Sequence, residues 1–147
     1  MNPLVNKTYL FIAGLIMLII GAYIAFAPIE YLASLSETMA DIPNNLQQDN
    51  TPSVAMLSDL RGMGGMLLLL GTYIFASTFR KAWFHSALLV STLVYAAFVI
   101  FRTLGFLLDG LPQMELMIAY LIEWVMALAG IVLLKYHPVE SDHRVLN

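Results

Sequence analysis

Four apolar runs dominate this sequence, and each is long enough to cross a lipid bilayer. A transmembrane helix needs about 20 consecutive, mostly apolar residues, and the runs cover residues 8–28, 60–79, 82–104 and 116–135. Because every backbone polar group must be satisfied inside the lipid, unbroken runs of this length indicate helices. We therefore predict an all-α fold, a four-transmembrane-helix antiparallel bundle.

The composition excludes most other classes of protein. Hydrophobic residues make up 60% of the 147 residues and charged residues 12%, whereas soluble domains average about 45–50% and 25%. The net charge of −3 provides no basic surface, so we expect no nucleic-acid partner. The chain has no cysteine, which excludes thiolate chemistry, iron–sulfur clusters and disulfides.

The connections between the spans suggest one integral membrane domain over residues 1–147. Residues 29–58 form a long loop and residues 136–147 a polar tail, whereas the other two connections are short. Short connections make neighbouring helices antiparallel, so we expect the second, third and fourth helices to pack side by side. A secretory signal is the alternative for the first run, but its length and Pro28 favour a retained helix.

The lysines and arginines predict the orientation of the bundle. One side of the membrane receives most of them: Lys7, Arg80, Lys81, Lys135 and Arg144. The other side receives only Arg61 and Arg102 together with most of the acidic residues. By the positive-inside rule both termini face the cytoplasm. We expect the protein in a bacterial inner membrane, with residues 29–58 in the periplasm.

Two shorter patterns refine this architecture. Tyr31, Leu32, Leu35 and Met39 recur at helical spacing after Pro28, which predicts a short amphipathic helix on the periplasmic surface.

Glycines also recur seven residues apart in the first two spans, at Gly14 and Gly21 and at Gly64 and Gly71. This spacing clears one stripe on each helix and predicts close helix–helix packing.

The charged residues inside the apolar runs are the most informative, because ionisable groups in a membrane usually face the bundle interior. Glu123 shares a helical stripe with Ala119 and Ala127, so its carboxylate is expected to point inward. Counting along the helices places Glu123 level with Tyr95 and Arg102 about 10 Å nearer the outside.

Side-chain direction then selects a partner for Glu123. Helical side chains lean toward the N-terminus of their own helix, so Arg102 and Glu123 lean toward each other from antiparallel helices. We predict an ion pair between them, with the hydroxyl groups of Tyr95 and Tyr120 nearby.

Arg61 leans in the opposite direction, toward Asp59 and Asp109. We expect it to cap the outer mouth of the same polar cluster.

Two interpretations of this cluster remain open. A buried salt bridge can fix helix register while adding little net stability, or the cluster can be a pocket for a ligand head group. A carboxylate beside an arginine is expected to stay ionised, which argues against a proton carrier.

Other chemical sites are weakly indicated. His85 and His137 both lie at the cytoplasmic face, where solvated histidines are usual, and no metal-ligand or phosphate-loop pattern is present. We therefore expect no cofactor and no metal.

The motif Asp59-Leu60-Arg61-Gly62-Met63-Gly64-Gly65 opens the second span, and Arg102, Asp109-Gly110 and Glu123 follow it in order. This arrangement resembles an uncharacterised bacterial family of small four-helix integral membrane proteins, known as a domain of unknown function. The resemblance covers about residues 10–134. It implies the fold and the polar cluster, and it implies no activity.

Three functional hypotheses follow from the sequence. The first is a non-catalytic membrane protein, either a small subunit of a partner or homo-oligomer or a binder of a lipid-like or quinone-like molecule. The alternative is a membrane-embedded enzyme acting on an amphiphilic substrate, with Glu123 as acid/base and the arginines holding an anionic head group. An oligomeric transporter is the third hypothesis.

Overall fold

The computed structural model describes residues 3–36, 52–110 and 114–136, which are almost entirely α-helical and contain no strand. The helices are α1 (Pro3–Phe26), α2 (Pro28–Ser36), α3 (Val54–Ser77), α4 (Phe84–Asp109) and α5 (Met114–Tyr136). A single 3₁₀ turn, Lys81–Trp83, separates α3 from α4.

Helices α1, α3, α4 and α5 are each long and apolar enough to cross a membrane. The predicted all-α, four-span architecture is thereby confirmed, and the chain is a multi-pass membrane protein. Helix α3 begins at Val54 rather than at residue 60, where its apolar run starts. The hydroxyl of Ser53 caps this extension by accepting a hydrogen bond from the Met56 amide at 3.1 Å.

The short helix predicted after Pro28 is present as α2. Glu30 lies in its first turn, where a carboxylate interacts favourably with the helix dipole. An edge-to-face contact between Tyr23 and Tyr31, with ring centroids 6.0 Å apart, holds α2 against the end of α1. Met39, the last residue of the predicted pattern, lies outside the described residues.

Helices α1 and α3 are antiparallel and form the closest helix pair in the described structure. A Cβ atom added to Gly14, Gly21, Gly64 or Gly71 would come within 3.0 Å of the backbone of the opposite helix. The glycines alternate between the two helices along the interface, because Gly71 faces Leu18, midway between Gly14 and Gly21. The paired glycines therefore act as the sequence predicts, by letting two backbones touch.

Helices α4 and α5 form the second close pair, whereas α3 and α4 contact each other much less. Near the connecting turn the Tyr73 hydroxyl lies 2.7 Å from Ser86 Oγ, and the Tyr73 ring packs on Trp83. The expected side-by-side packing of α3 on α4 is thus concentrated at one end. The larger partner of α3 is α1, which the connection lengths did not indicate.

Two buried tyrosines join these helix pairs across the core. The Tyr95 hydroxyl in α4 donates to the Ala13 carbonyl of α1 at 3.0 Å. The Tyr9 hydroxyl in α1 donates to the Met126 carbonyl of α5 at 3.1 Å and accepts from Ser91 Oγ at 3.0 Å. Because these bonds also align α1 parallel to α4, they set the position of one pair against the other.

Candidate functional site

The polar site on α4 and α5 centres on the contact between Arg102 and Glu123. Arg102 Nε lies 2.8 Å from one carboxylate oxygen, Oε2, and donates to the other, Oε1, at 3.0 Å. The Arg102 side chain is 27% exposed and that of Glu123 is 11% exposed. This is the one ion pair among the described residues, and one of its edges remains accessible.

The guanidinium retains unused hydrogen-bonding capacity. Arginine has five N–H donors, and within the described structure Arg102 uses only Nε in side-chain hydrogen bonds. Glu123 Oε2 is buried and lies in ionic contact with Arg102 Nε. The capacity left for a third polar group is therefore that of the other N–H donors of Arg102.

Tyr120 lies at the same interface but bonds to a different residue. Its hydroxyl is 2.7 Å from Thr103 Oγ1, which itself donates to the Val99 carbonyl at 2.6 Å. Since the single threonine proton is used in that bond, the tyrosine is the donor to Thr103. The Tyr120 ring packs edge-to-face on Phe106, with centroids 5.0 Å apart.

The Tyr95 hydroxyl forms no hydrogen bond with the ion pair. It donates to the Ala13 carbonyl, near the middle of α1. Contacts between Thr103 and Tyr120 and between Thr92 and Gly130 set the register of α4 against α5, and they place Glu123 opposite about residue 100. Counting from the predicted helix ends therefore differs from the observed register by about one turn.

No described hydrogen bond or ion pair joins Arg61 or Asp59 to the Arg102–Glu123 pair. Both side chains are exposed on α3, and neither forms an ion pair with any other residue that the structure describes. The side chain of Asp109, the other expected partner of Arg61, lies outside the described part. The described residues thus bring Arg102, Glu123 and Tyr120 to one interface, and the role of Arg61 and Asp59 in the cluster stays a prediction.

The polar groups of the core around Tyr9 are not predicted from the sequence. Thr92 and Ser91 are buried beside it, and Asn6 is 1% exposed with no hydrogen-bond partner for its side-chain amide. The signal for Tyr9 is its position one helical turn before Ala13 in a stripe of small and apolar residues. In the described ranges, no group of three or more histidine, aspartate or glutamate side chains could hold a metal ion.

An apolar groove lies between α3 and α4, where these helices diverge. Its volume is about 290 Å³, and it is lined by Met66, Leu67, Leu70, Val94, Ala97, Phe98 and Phe101. The Arg102 guanidinium carbon is 5.8 Å from the centre of the Phe98 ring. Phe98 therefore contributes both to the wall of the groove and to the surroundings of the ion pair.

Comparison with known proteins identifies the family. No curated protein and no solved structure matches the chain. One family model, described as a domain of unknown function (DUF4345), matches residues 5–134, which include all but the ends of the five helices. The resemblance to an uncharacterised family is thereby confirmed. This multi-pass membrane protein, with its Arg102–Glu123 pair beside an apolar groove, belongs to the DUF4345 family.

Proposed function

We propose that this small membrane protein is a non-catalytic binder of an amphiphile, a lipid-like or quinone-like molecule. The observation that carries the proposal is the continuity between the Arg102–Glu123 pair and the apolar groove through Phe98. The polar head of the ligand would lie at the ion pair, and its apolar chain would lie along the groove between α3 and α4.

The chemistry of the ion pair supports a head group that carries hydrogen-bond acceptors. The free N–H groups of Arg102 suit a carbonyl or phosphate oxygen, because charge-assisted hydrogen bonds are the stronger ones. The Glu123 carboxylate, mostly buried, holds the guanidinium in place through its contacts with Nε. Quinones and lipid head groups with phosphate or carbonyl oxygens offer such acceptors.

The groove supports the apolar part of the ligand. All of its lining residues are apolar, and it opens between two helices that diverge after the connecting turn. An acyl or isoprenoid chain is long, flexible and apolar, so it matches such a groove better than a compact polar substrate. Binding an amphiphile requires only an apolar groove next to a polar group, and the groove and the ion pair provide both.

Native mass spectrometry of the full chain, purified in lipid nanodiscs, tests the proposal. We expect one class of amphiphile to remain bound, at a level well above its share of the membrane lipids. Ala97→Phe fills the groove and should abolish this enrichment, whereas Leu93→Phe, on the exposed surface of the same helix, should preserve it. Lipid retention that is the same in both variants would contradict the proposal.

Glu123→Gln tests the head-group site separately. The amide preserves side-chain size and an acceptor for Arg102 Nε, so the protein should fold and should lose the enrichment. A variant that aggregates or fails to accumulate would instead identify the pair as structural and would overturn its role in binding.

We further propose a bacterial inner-membrane location with both termini in the cytoplasm, on the basis of the lysines and arginines. A fluorescent reporter that folds in the cytoplasm should be active when fused after Asn147. Activity of a fused alkaline phosphatase, which matures outside the cytoplasm, would contradict this orientation.

A further inference from the structure

The face of α3 that points away from α1 combines two glycines that no other helix covers with two exposed charged side chains, neither of which has an ion-pair partner among the described residues. A Cβ atom added to Gly62 or Gly65 would meet nothing within 4 Å, in contrast to Gly64 and Gly71 on the α1 side. Leu69 on this face is 73% exposed. One side of α3 is therefore open from about Ser58 to Leu69.

Asp59 and Arg61 lie on either side of this open face. With 3.6 residues per turn, each of them lies about 80° from the line through Leu69, in opposite directions. Their Cα atoms differ by about 3 Å along the helix axis. Both side chains are exposed, and they form no ion pair within the described structure.

Two-fold symmetry makes these charges complementary to each other. When two copies of α3 lie parallel and face each other across a two-fold axis, a residue on the left of one face meets a residue on the right of the other. Asp59 of one copy then faces Arg61 of the second copy, and the symmetry repeats the contact. A single α3 cannot form this pair itself, because its two charges point to opposite sides.

We propose that this face of α3, with Ser58, Gly62, Gly65 and Leu69 at its centre, is the contact surface with a second copy of the chain. The glycines allow close approach of the two helices, and two reciprocal Asp59–Arg61 ion pairs flank the contact. This arrangement satisfies an arginine that is otherwise exposed near the lipid, where an unpaired charge is unfavourable. It is independent of any ligand in the groove.

Disulfide cross-linking in native membranes tests the contact directly, because the chain has no cysteine of its own. Leu69→Cys places a thiol near the two-fold axis and should give a covalent dimer on oxidation. Leu121→Cys is the matched control, since Leu121 is 64% exposed on α5, and it should remain monomeric. Equal cross-linking of the two variants would overturn the proposal.

Changes in the Leu69→Cys background then test the charges and the glycine. Arg61→Asp places like charges together and should lower the dimer association constant about tenfold. Adding Asp59→Arg to it should restore the cross-link, which a role of Arg61 toward lipid head groups would not predict. Gly62→Leu should abolish the cross-link. Cross-linking that persists in the Gly62→Leu variant would overturn the proposal. Failure of the charge exchange to restore the cross-link would overturn it as well.

Discussion

The two close helix pairs of this bundle are held together by different kinds of contact. Helices α1 and α3 meet through four glycines, with backbone against backbone, and no ion pair joins them within the described part of the chain. Helices α4 and α5 meet through side chains, including the Arg102–Glu123 pair and the hydrogen bond between Thr103 and Tyr120. The α1–α3 interface serves packing, whereas the α4–α5 interface includes polar groups with which a ligand can form hydrogen bonds. Substitutions should therefore affect the two interfaces in different ways.

The largest effect is expected at the glycine interface. Gly64→Ala places a methyl group within 3.0 Å of the Ala25 backbone, and overpacking against backbone should lower the free energy of unfolding by about 3 kcal/mol. The matched control is Gly65→Ala on the open face of α3. This substitution should raise the free energy of unfolding by up to about 1 kcal/mol, because alanine has a higher helix propensity than glycine. Thermal unfolding of both variants as detergent-solubilised monomers measures the difference. Equal destabilisation would show that the glycines are not packing positions.

A smaller effect is expected at the ion pair. Glu123→Leu leaves Arg102 without its partner, and because the arginine is partly exposed, the loss should be about 2 kcal/mol rather than the 3–5 kcal/mol of a fully buried pair. Adding Arg102→Met should recover most of this loss, since no uncompensated charge remains. Unfolding of the two single variants and the double variant gives the coupling energy. Additive losses would show that the two side chains do not stabilise each other.

The smallest effect is expected at the hydrogen bonds that join the two helix pairs. Tyr95→Phe removes the donor to the Ala13 carbonyl and should cost about 1 kcal/mol. Tyr136→Phe is the control, because Tyr136 is 63% exposed at the end of α5. Differential scanning calorimetry should detect a lower Tm for Tyr95→Phe than for Tyr136→Phe. Identical Tm values would show that the hydrogen bond of Tyr95 does not stabilise the fold.

The sequence predicts the spans and the main polar contact because each depends on a few residues that differ clearly from their apolar surroundings. Charged residues are rare in the apolar runs, so the direction of a helical side chain is enough to suggest Arg102 as the partner of Glu123. The seven-residue spacing of the glycines likewise predicts a packed stripe from one helix at a time. These features need helical periodicity and no knowledge of how the helices are rotated against each other.

Features that depend on rotation and stagger are not predictable in this way. Gly62 and Gly64 stand in one short motif, yet one faces open space and the other faces α1. Tyr95 shares a stripe with Arg102 but bonds to Ala13, because α1 lies beside that part of α4. Connection lengths indicate which helices can be neighbours, whereas the glycines decide which neighbours are in close contact.

The narrow contact between α3 and α4 has a consequence for how the protein is made. It divides the chain at the 3₁₀ turn into two helical hairpins, each with its own internal interface. During synthesis the α1–α3 hairpin can close in the bilayer before α4 emerges, and the tyrosine hydroxyls then join the finished hairpins in a second stage. When the chain is divided within this turn and the two halves are expressed as separate polypeptides, they should therefore associate in the membrane.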